Sequence, residues 1–246
     1  MSGTGDDLVF VGDVHLGAGD LAVVEFCRFV EAIAPTTSRL VLAGDLFEVW
    51  IGRPEMEGPH HRTVALALAA LRRRGVSVAY LEGNRDYGVA ALHVGAAFDD
   101  ASADGLVERR GGSSFFAVHG DLVNEDDRAY RAWRRVSRSR PLWALFNALP
   151  AGARRRLAET LRERLARTNV AYRRRFPEDA VRRFAAARFR EGHDAVVLGH
   201  FHVEKDLEAE PPSPPGRILV LPEWKGSRRH LRVGADGGTA FVDSPA

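Results

Sequence analysis

Five short apolar runs in this chain each end in residue types that bind metals, and this recurrence constrains the fold more than any other feature. Residues 8–11 (Leu-Val-Phe-Val) run into Gly12-Asp13-Val14-His15. Residues 40–43 run into Gly44-Asp45, and residues 76–81 into Glu82-Gly83-Asn84. Residues 115–118 run into His119-Gly120-Asp121, and residues 195–198 into Gly199-His200-Phe201-His202. Runs of this length bounded by turn residues read as buried strands rather than helices. In an open α/β sheet the loops beyond the carboxyl ends of parallel strands carry the functional groups.

Helical patterns separate the strands. Residues 21–34 carry apolar side chains at helical spacing and stop before Pro35; residues 63–74 are rich in Ala and Leu and close on Gly75. Residues 218–221 read as a further strand, and 231–233 with 239–242 as a hairpin around Asp236-Gly237-Gly238. The alternation predicts an α/β fold. Between 124 and 192 the strand signal disappears. Tyr130, Trp133 and Val136, then Leu157, Leu161, Leu165, Tyr172 and Phe176, recur at roughly helical spacing, and Pro141, Pro150 and Pro177 divide the segment into about four helices. A chain of 246 residues fits one sizeable domain, here 1–246 with a helical insertion at about 125–191. Residues 208–216 form a Pro-rich loop.

Charge is distributed unevenly. Residues 128–190 hold 19 arginines against four acids, a net +15, so the remainder carries −13 within a total of +2. Such a patch suits an anionic partner: nucleic acid, a phosphorylated ligand or an anionic membrane face. The apolar stretch 141–149 (Pro-Leu-Trp-Ala-Leu-Phe-Asn-Ala-Leu) lies inside it and suits lipid better than a phosphate backbone. No run of 18 apolar residues occurs, so no transmembrane helix is expected. The polar, acidic start lacks the pattern of a secretory signal, which leads us to expect a cytosolic protein. The single Cys27 excludes an internal disulfide and a Cys-rich zinc module, and its apolar neighbours make it a structural thiol.

Taken singly, an Asp-x-His or a Gly-Asp is a turn or a cap. Taken as an ordered series, each member just after a strand, the seven residues Asp13, His15, Asp45, Asn84, His119, His200 and His202 suit a pair of divalent cations. Such pairs sit about 3.5–4 Å apart with a bridging carboxylate, activate water and neutralise transition-state charge. Mixed carboxylate, amide and imidazole donors favour Mn, Fe, Co or Zn over Ca.

The ordered motifs D-x-H, GD, GN[HR], H and GHxH resemble the calcineurin-like metallophosphoesterase superfamily. The resemblance implies a four-layer α/β/β/α sandwich that hydrolyses phosphoesters or phosphoanhydrides. It implies one metal on Asp13, His15, Asp45 and His202, and the other on Asp45, Asn84, His119 and His200, with Asp45 bridging. Asn84, Arg85, His119 and His200 would be catalytic, Asn84 and Arg85 also gripping phosphate. The finer segments 44–52, 83–87 and 119–130 are similar to the UDP-2,3-diacylglucosamine hydrolase family. That similarity implies Mn²⁺-dependent cleavage of a lipid-nucleotide to UMP and 2,3-diacylglucosamine 1-phosphate in lipid A synthesis. The insertion would be a lid sheltering the acyl chains, with Asp127, Tyr130, Arg173 and Arg174 as substrate contacts. We also expect peripheral contact with the anionic inner face of the cytoplasmic membrane and no obligate protein partner, with nucleic acid disfavoured by the apolar stretch 142–149.

Departures from the finer pattern are Arg53-Pro54-Glu55 where acids are usual, Phe201 where Thr is usual, and the segment 221–225. They spare every ligand but leave open another nucleotide-linked lipid, a soluble nucleotide or a phosphodiester as substrate. A nucleic-acid-binding or scaffold protein on the same fold is the minor alternative. Trp133, Trp143, Phe146 and Leu149 either meet acyl chains or pack the insertion itself. His60 and His61 read as cap or surface residues, and His93, His193 and His230 as core or surface residues. Asp86 and Asp121 either orient ligands or stabilise turns.

Overall fold

A computed structural model describes residues 5–172, 176–211 and 213–245, with backbone alone for 164–172. The first part of the chain forms β1 (Asp7–Val11), α1 (Ala22–Ile33), β2 (Thr37–Leu42), β3 (Trp50–Ile51), α2 (Pro59–Arg73), β4 (Ser77–Leu81), β5 (Asp86–Tyr87) and α3 (Ala90–His93). Three strands follow: β6 (Asp100–Ser102), β7 (Leu106–Arg110) and β8 (Ser113–Val118). Four helices come next: α4 (Arg128–Ser137), α5 (Arg140–Ala148), α6 (Ala151–Tyr172) and α7 (Glu178–Arg190). The chain ends with β9 (Ala195–Leu198), β10 (Lys205–Glu208), β11 (Arg217–Val220), α8 (Trp224–Ser227), β12 (Arg229–Val233) and β13 (Thr239–Asp243).

Two sheets carry the fold. The first runs β13-β12-β1-β2-β4-β6, and the second β10-β11-β9-β8-β7. Within the first, β1, β2, β4 and β6 are parallel; within the second, β8, β9 and β11 are. Alternation along each strand divides its side chains between two cores. Leu8 and Phe10 of β1 join Val41, Phe115, Val197 and Leu219 between the sheets. Val9 and Val11 face outward and meet Phe26 and Phe29 of α1 and Leu68 of α2. On the outer side of the second sheet, Val196, Leu198 and Val220 meet Val181, Ala185 and Phe189 of α7. Both faces of the central strands are therefore buried, which is why they read as unbroken apolar runs. The four layers are α/β/β/α, as the family resemblance implies.

Helix α2 begins at Pro59, four residues before the expected start. Pro at the first helical position is pre-set for helix. The Gly58 amide donates to His61 Nδ1 at 3.1 Å, so His61 helps to cap this helix. Helices α4 to α6 behave differently from α7: Arg134 is the one buried residue of α4, and α5 has none. No helix among the described residues is long and apolar enough to cross a membrane.

Candidate metal centre

Five strand ends bring seven side chains together. Asp13 and His15 follow β1, Asp45 follows β2, Asn84 follows β4, His119 follows β8, and His200 and His202 follow β9. His15 Nε2 and His202 Nε2 face each other at 3.1 Å, with Asp13 Oδ1 at 3.9 and 3.4 Å from them. Asn84 Oδ1 lies 3.0 Å from both His119 Nε2 and His200 Nδ1. His119 Nε2 is 3.8 Å from Asp45 Oδ1. One ligand atom each from Asp13, His15 and His202 lies within 4.8 Å of the others, and the same holds for Asp13, Asp45 and His119.

The backbone is strained here and almost nowhere else. Six non-glycine residues among those described have positive φ, and five of them are Asp13, His15, Asp45, His200 and His202. Such conformations cost energy and persist where surrounding structure imposes them. The packing at Gly44 and Gly83 shows the tightness. A Cβ on Gly44 would lie 2.5 Å from His119 Nδ1, and one on Gly83 would lie 2.2 Å from Asp45 Oδ1.

Backbone groups fix the ligands. His119 Nδ1 lies 2.8 Å from the Ala43 carbonyl oxygen and donates its proton there, leaving Nε2 for a cation. The His200 amide donates to Asp13 Oδ2 at 2.7 Å, and the Arg85 amide to Asp45 Oδ1 at 2.9 Å. Asp86 Oδ2 accepts from the Asp45 amide at 3.0 Å and the Gly83 amide at 2.7 Å. Asp86 therefore orients the loops that carry two ligands.

Titration reflects the crowding. Burial alone would raise Asp13, but His202, His119 and His15 hold it well below the usual carboxylate range. Burial drives His15 far down and, with His119 beside it, brings His200 to about 4. Asp45 and Asp86 are raised, chiefly by burial and then, for Asp86, by the nearby Asp45 carboxylate. Asp13 Oδ1 is fully buried yet has no hydrogen-bond partner. A bound cation would supply that partner and relieve the crowding of carboxylates, so the donor set fits divalent metals.

The other expected site residues are placed as follows. Arg85 is buried, with Nε 3.4 Å from Asp45 Oδ2 and Nη1 donating to the Glu48 carbonyl at 3.1 Å. Asp127 caps α4, accepting from the Tyr130 amide at 2.9 Å, and Tyr130 Oη donates to Asp121. Arg173 and Arg174 lie outside the described residues. Four neighbours of the site had no sequence signal because their contacts are long-range. Arg134 pairs with Asp121, and Arg138 with Glu82 at 2.9 Å. Glu223 Oε1 lies 3.6 Å from His202 Nδ1.

Tyr87, three residues beyond the ligand Asn84, lines an apolar cavity of about 190 Å³. Ile51 on the sandwich and Trp143, Leu145, Phe146 and Leu149 of the α5 segment are also among the residues lining it. These α5 side chains therefore surround a space instead of filling a core. An adjoining polar cleft of about 700 Å³ shares Ile51 and Ala158 with it. Arg154–Glu55 at 2.8 Å and Arg162–Glu48 at 3.3 Å join α6 to the sandwich beside this cleft.

The profile of the calcineurin-like phosphoesterase family matches residues 7–204. The UDP-2,3-diacylglucosamine hydrolase of Ralstonia nicotianae is 34% identical over 229 residues, covering 87% of this chain and 82% of that protein. The protein of that name from Aeromonas salmonicida is 31% identical, covering 88% and 85%. The one from Xanthomonas axonopodis pv. citri is 31% identical, covering 94% and 96%.

Proposed function

The chain belongs to the calcineurin-like phosphoesterase family and is a metal-dependent phosphohydrolase; from that premise we propose that it cleaves the diphosphate of UDP-2,3-diacylglucosamine. Water would be consumed, and UMP and 2,3-diacylglucosamine 1-phosphate released, in lipid A synthesis. The apolar cavity between Tyr87, on the loop of the ligand Asn84, and the helical insertion carries this reading. A soluble nucleotide has nothing to place there, whereas each acyl methylene buried in it favours binding by about 0.8 kcal/mol. The polar cleft next to it has room for the unacylated part of the same molecule.

Two divalent cations, Mn²⁺ in our reading, would be held by Asp13, His15, Asp45 and His202 and by Asp45, Asn84, His119 and His200, and would supply Lewis acidity and an activated water. The remaining work falls to the chain. Asn84 turns its carbonyl oxygen to His119 and His200 and keeps its NH₂ as a donor for a phosphoryl oxygen. Arg85 places a guanidinium charge against Asp45, offsetting the carboxylates that would repel a diphosphate. A nucleoside monophosphate is a good leaving group, so the step needs little proton donation.

In the same reading the protein works on the inner face of the cytoplasmic membrane as a peripheral protein without an obligate partner. Trp133, Val136 and Leu145 are exposed on α4 and α5, among arginines that suit anionic headgroups.

Variants of the cavity test the substrate. Trp143→Ala and Phe146→Arg should lower kcat/KM for the diacylated substrate about tenfold or more, the equivalent of fewer than two buried methylenes. Turnover of a small aryl phosphodiester should hold. Equal loss on both substrates, or loss on neither, would contradict the acyl assignment.

A further inference from the structure

Helix α4 ties together two ligand-bearing loops that belong to different sheets. Arg134 reaches the loop after β8, where its guanidinium pairs with the Asp121 carboxylate, two residues beyond the ligand His119. Tyr130 donates to the same carboxylate. Arg138 reaches the loop after β4, on either side of the ligand Asn84. Its Nη1 donates to Glu82 Oε2 at 2.9 Å, and its Nη2 to the Asp86 carbonyl at 2.9 Å and to the Gly83 carbonyl. The ligands carried by these two loops meet directly, with His119 Nε2 3.0 Å from Asn84 Oδ1.

Arg134 lies in the last turn of α4, and Arg138, four residues on, is its C-cap, whose amide donates to the Arg134 carbonyl at 3.2 Å, so both side chains leave from the same end of one helix. A helix is a stiff spacer, so the loops cannot drift apart without breaking a guanidinium contact. These contacts are desolvated as well: Arg134 is 9% exposed, and Asp121 and Glu82 are buried. Breaking such a pair leaves a buried charge unmatched, which strongly favours the closed arrangement. Planar guanidinium also fixes direction, because one group bonds a carboxylate and two carbonyls at once.

We infer that Arg134 and Arg138 are positioning residues for the metal subsite of Asn84, His119 and His200, and that α4 is a fixed brace of that subsite. The helical insertion then has two roles: α5, with Trp133 of α4 and Leu157 of α6, lines the apolar cavity, while the Arg134–Arg138 end of α4 braces the metal centre. This inference concerns metal binding and stands apart from the identity of the substrate.

A simple anchor for α4 would give the same contacts, so the test separates the two subsites. Mn²⁺ is titrated calorimetrically into metal-free wild type, Arg134→Ala, Arg138→Ala and Arg135→Ala, the last an exposed arginine of the same helix. Asn84→Ala identifies which binding event belongs to its subsite. The expected result is a loss of about 10–100-fold in that event for Arg134→Ala and Arg138→Ala, with the other event within about twofold and Arg135→Ala unchanged. Adding Arg138→Ala to Asn84→Ala should cost nothing further in metal affinity. Arg138→Lys keeps the charge and fewer donors; it should show a smaller loss in the same event and serves if the alanine variant does not fold. Equal weakening of both events, or no weakening, would overturn the inference.

Discussion

His15 Nε2 and His202 Nε2 lie 3.1 Å apart, although 187 residues separate them in the chain. Both rings are held by backbone at positive φ, and Asp13 Oδ1 beside them accepts no hydrogen bond. A cation satisfies all three groups in the folded state and finds no such cluster in the unfolded chain. Metal should therefore stabilise the fold, by about 2.7 kcal/mol at a hundredfold excess over Kd. Melting curves with a chelator and with Mn²⁺ check this; coincident curves would sink it.

Asp13→Ala and Asn84→Ala should lower turnover more than about 100-fold, beyond what loss of an outer partner costs a metal site. The fold should survive. Asp13→Ala leaves the His200 amide without its acceptor, a loss of about 1–3 kcal/mol against the burial of the whole sandwich. Circular dichroism and rate assays at saturating metal measure the two effects separately. Near-wild-type turnover in either variant would refute the ligand assignment.

Gly83→Ala should damage the site from a position that binds nothing. Its Cβ would stand 2.2 Å from Asp45 Oδ1, and the neighbouring backbone is pinned by Asp86. Asp45 or the Gly83 loop must move, at about 1–3 kcal/mol of overpacking. Denaturant midpoints and metal affinity should fall together. Unchanged metal affinity would show that the loop yields freely.

Acid should destabilise the protein through histidines remote from the metals. Burial brings both His61 and His230 to about 4, aided by His60 in the first case and by Arg232 and Arg229 in the second. Both are nearly inaccessible to solvent, at 6% and 4% exposure. Their folded pKa lies below the unfolded value near 6.5, so the unfolded chain takes up protons first as pH falls. The stability they contribute is complete above about 6.5 and is lost towards 4, with about 2 kcal/mol per group gone between pH 7 and pH 5. Urea midpoints at those two pH values should show the fall, and His230→Leu should reduce it. An unaltered pH slope in that variant would contradict the assignment.

The ligand series was legible because five of its seven members follow runs, 8–11, 40–43 and 195–198, that are buried on both faces and so are apolar throughout. The edge strands were not. β10 and β7 expose alternate residues and are rich in charge, and β3 and β5 have two residues each, too few to show a period. The start of α2 could have been read from Gly58-Pro59, a glycine followed by proline at the first helical position. Arg138 was out of reach by local pattern. Its partners lie 52 to 56 residues earlier, and nothing in Arg-Arg-Val-Ser-Arg distinguishes it from an exposed arginine such as Arg135. Likewise the apolar stretch in α5 announced burial, but whether against its own helices or around a cavity depends on how α4 and α6 are placed.

The most direct test of the account is UMP release by the purified protein with Mn²⁺ in detergent, from UDP-2,3-diacylglucosamine and from UDP-N-acetylglucosamine in parallel. Rapid release from the diacylated substrate, with little from the unacylated sugar nucleotide, is the predicted result. Equal rates on both, or cleavage of neither beside turnover of a generic aryl phosphodiester, would leave the metal centre in place and contradict the lipid-nucleotide assignment.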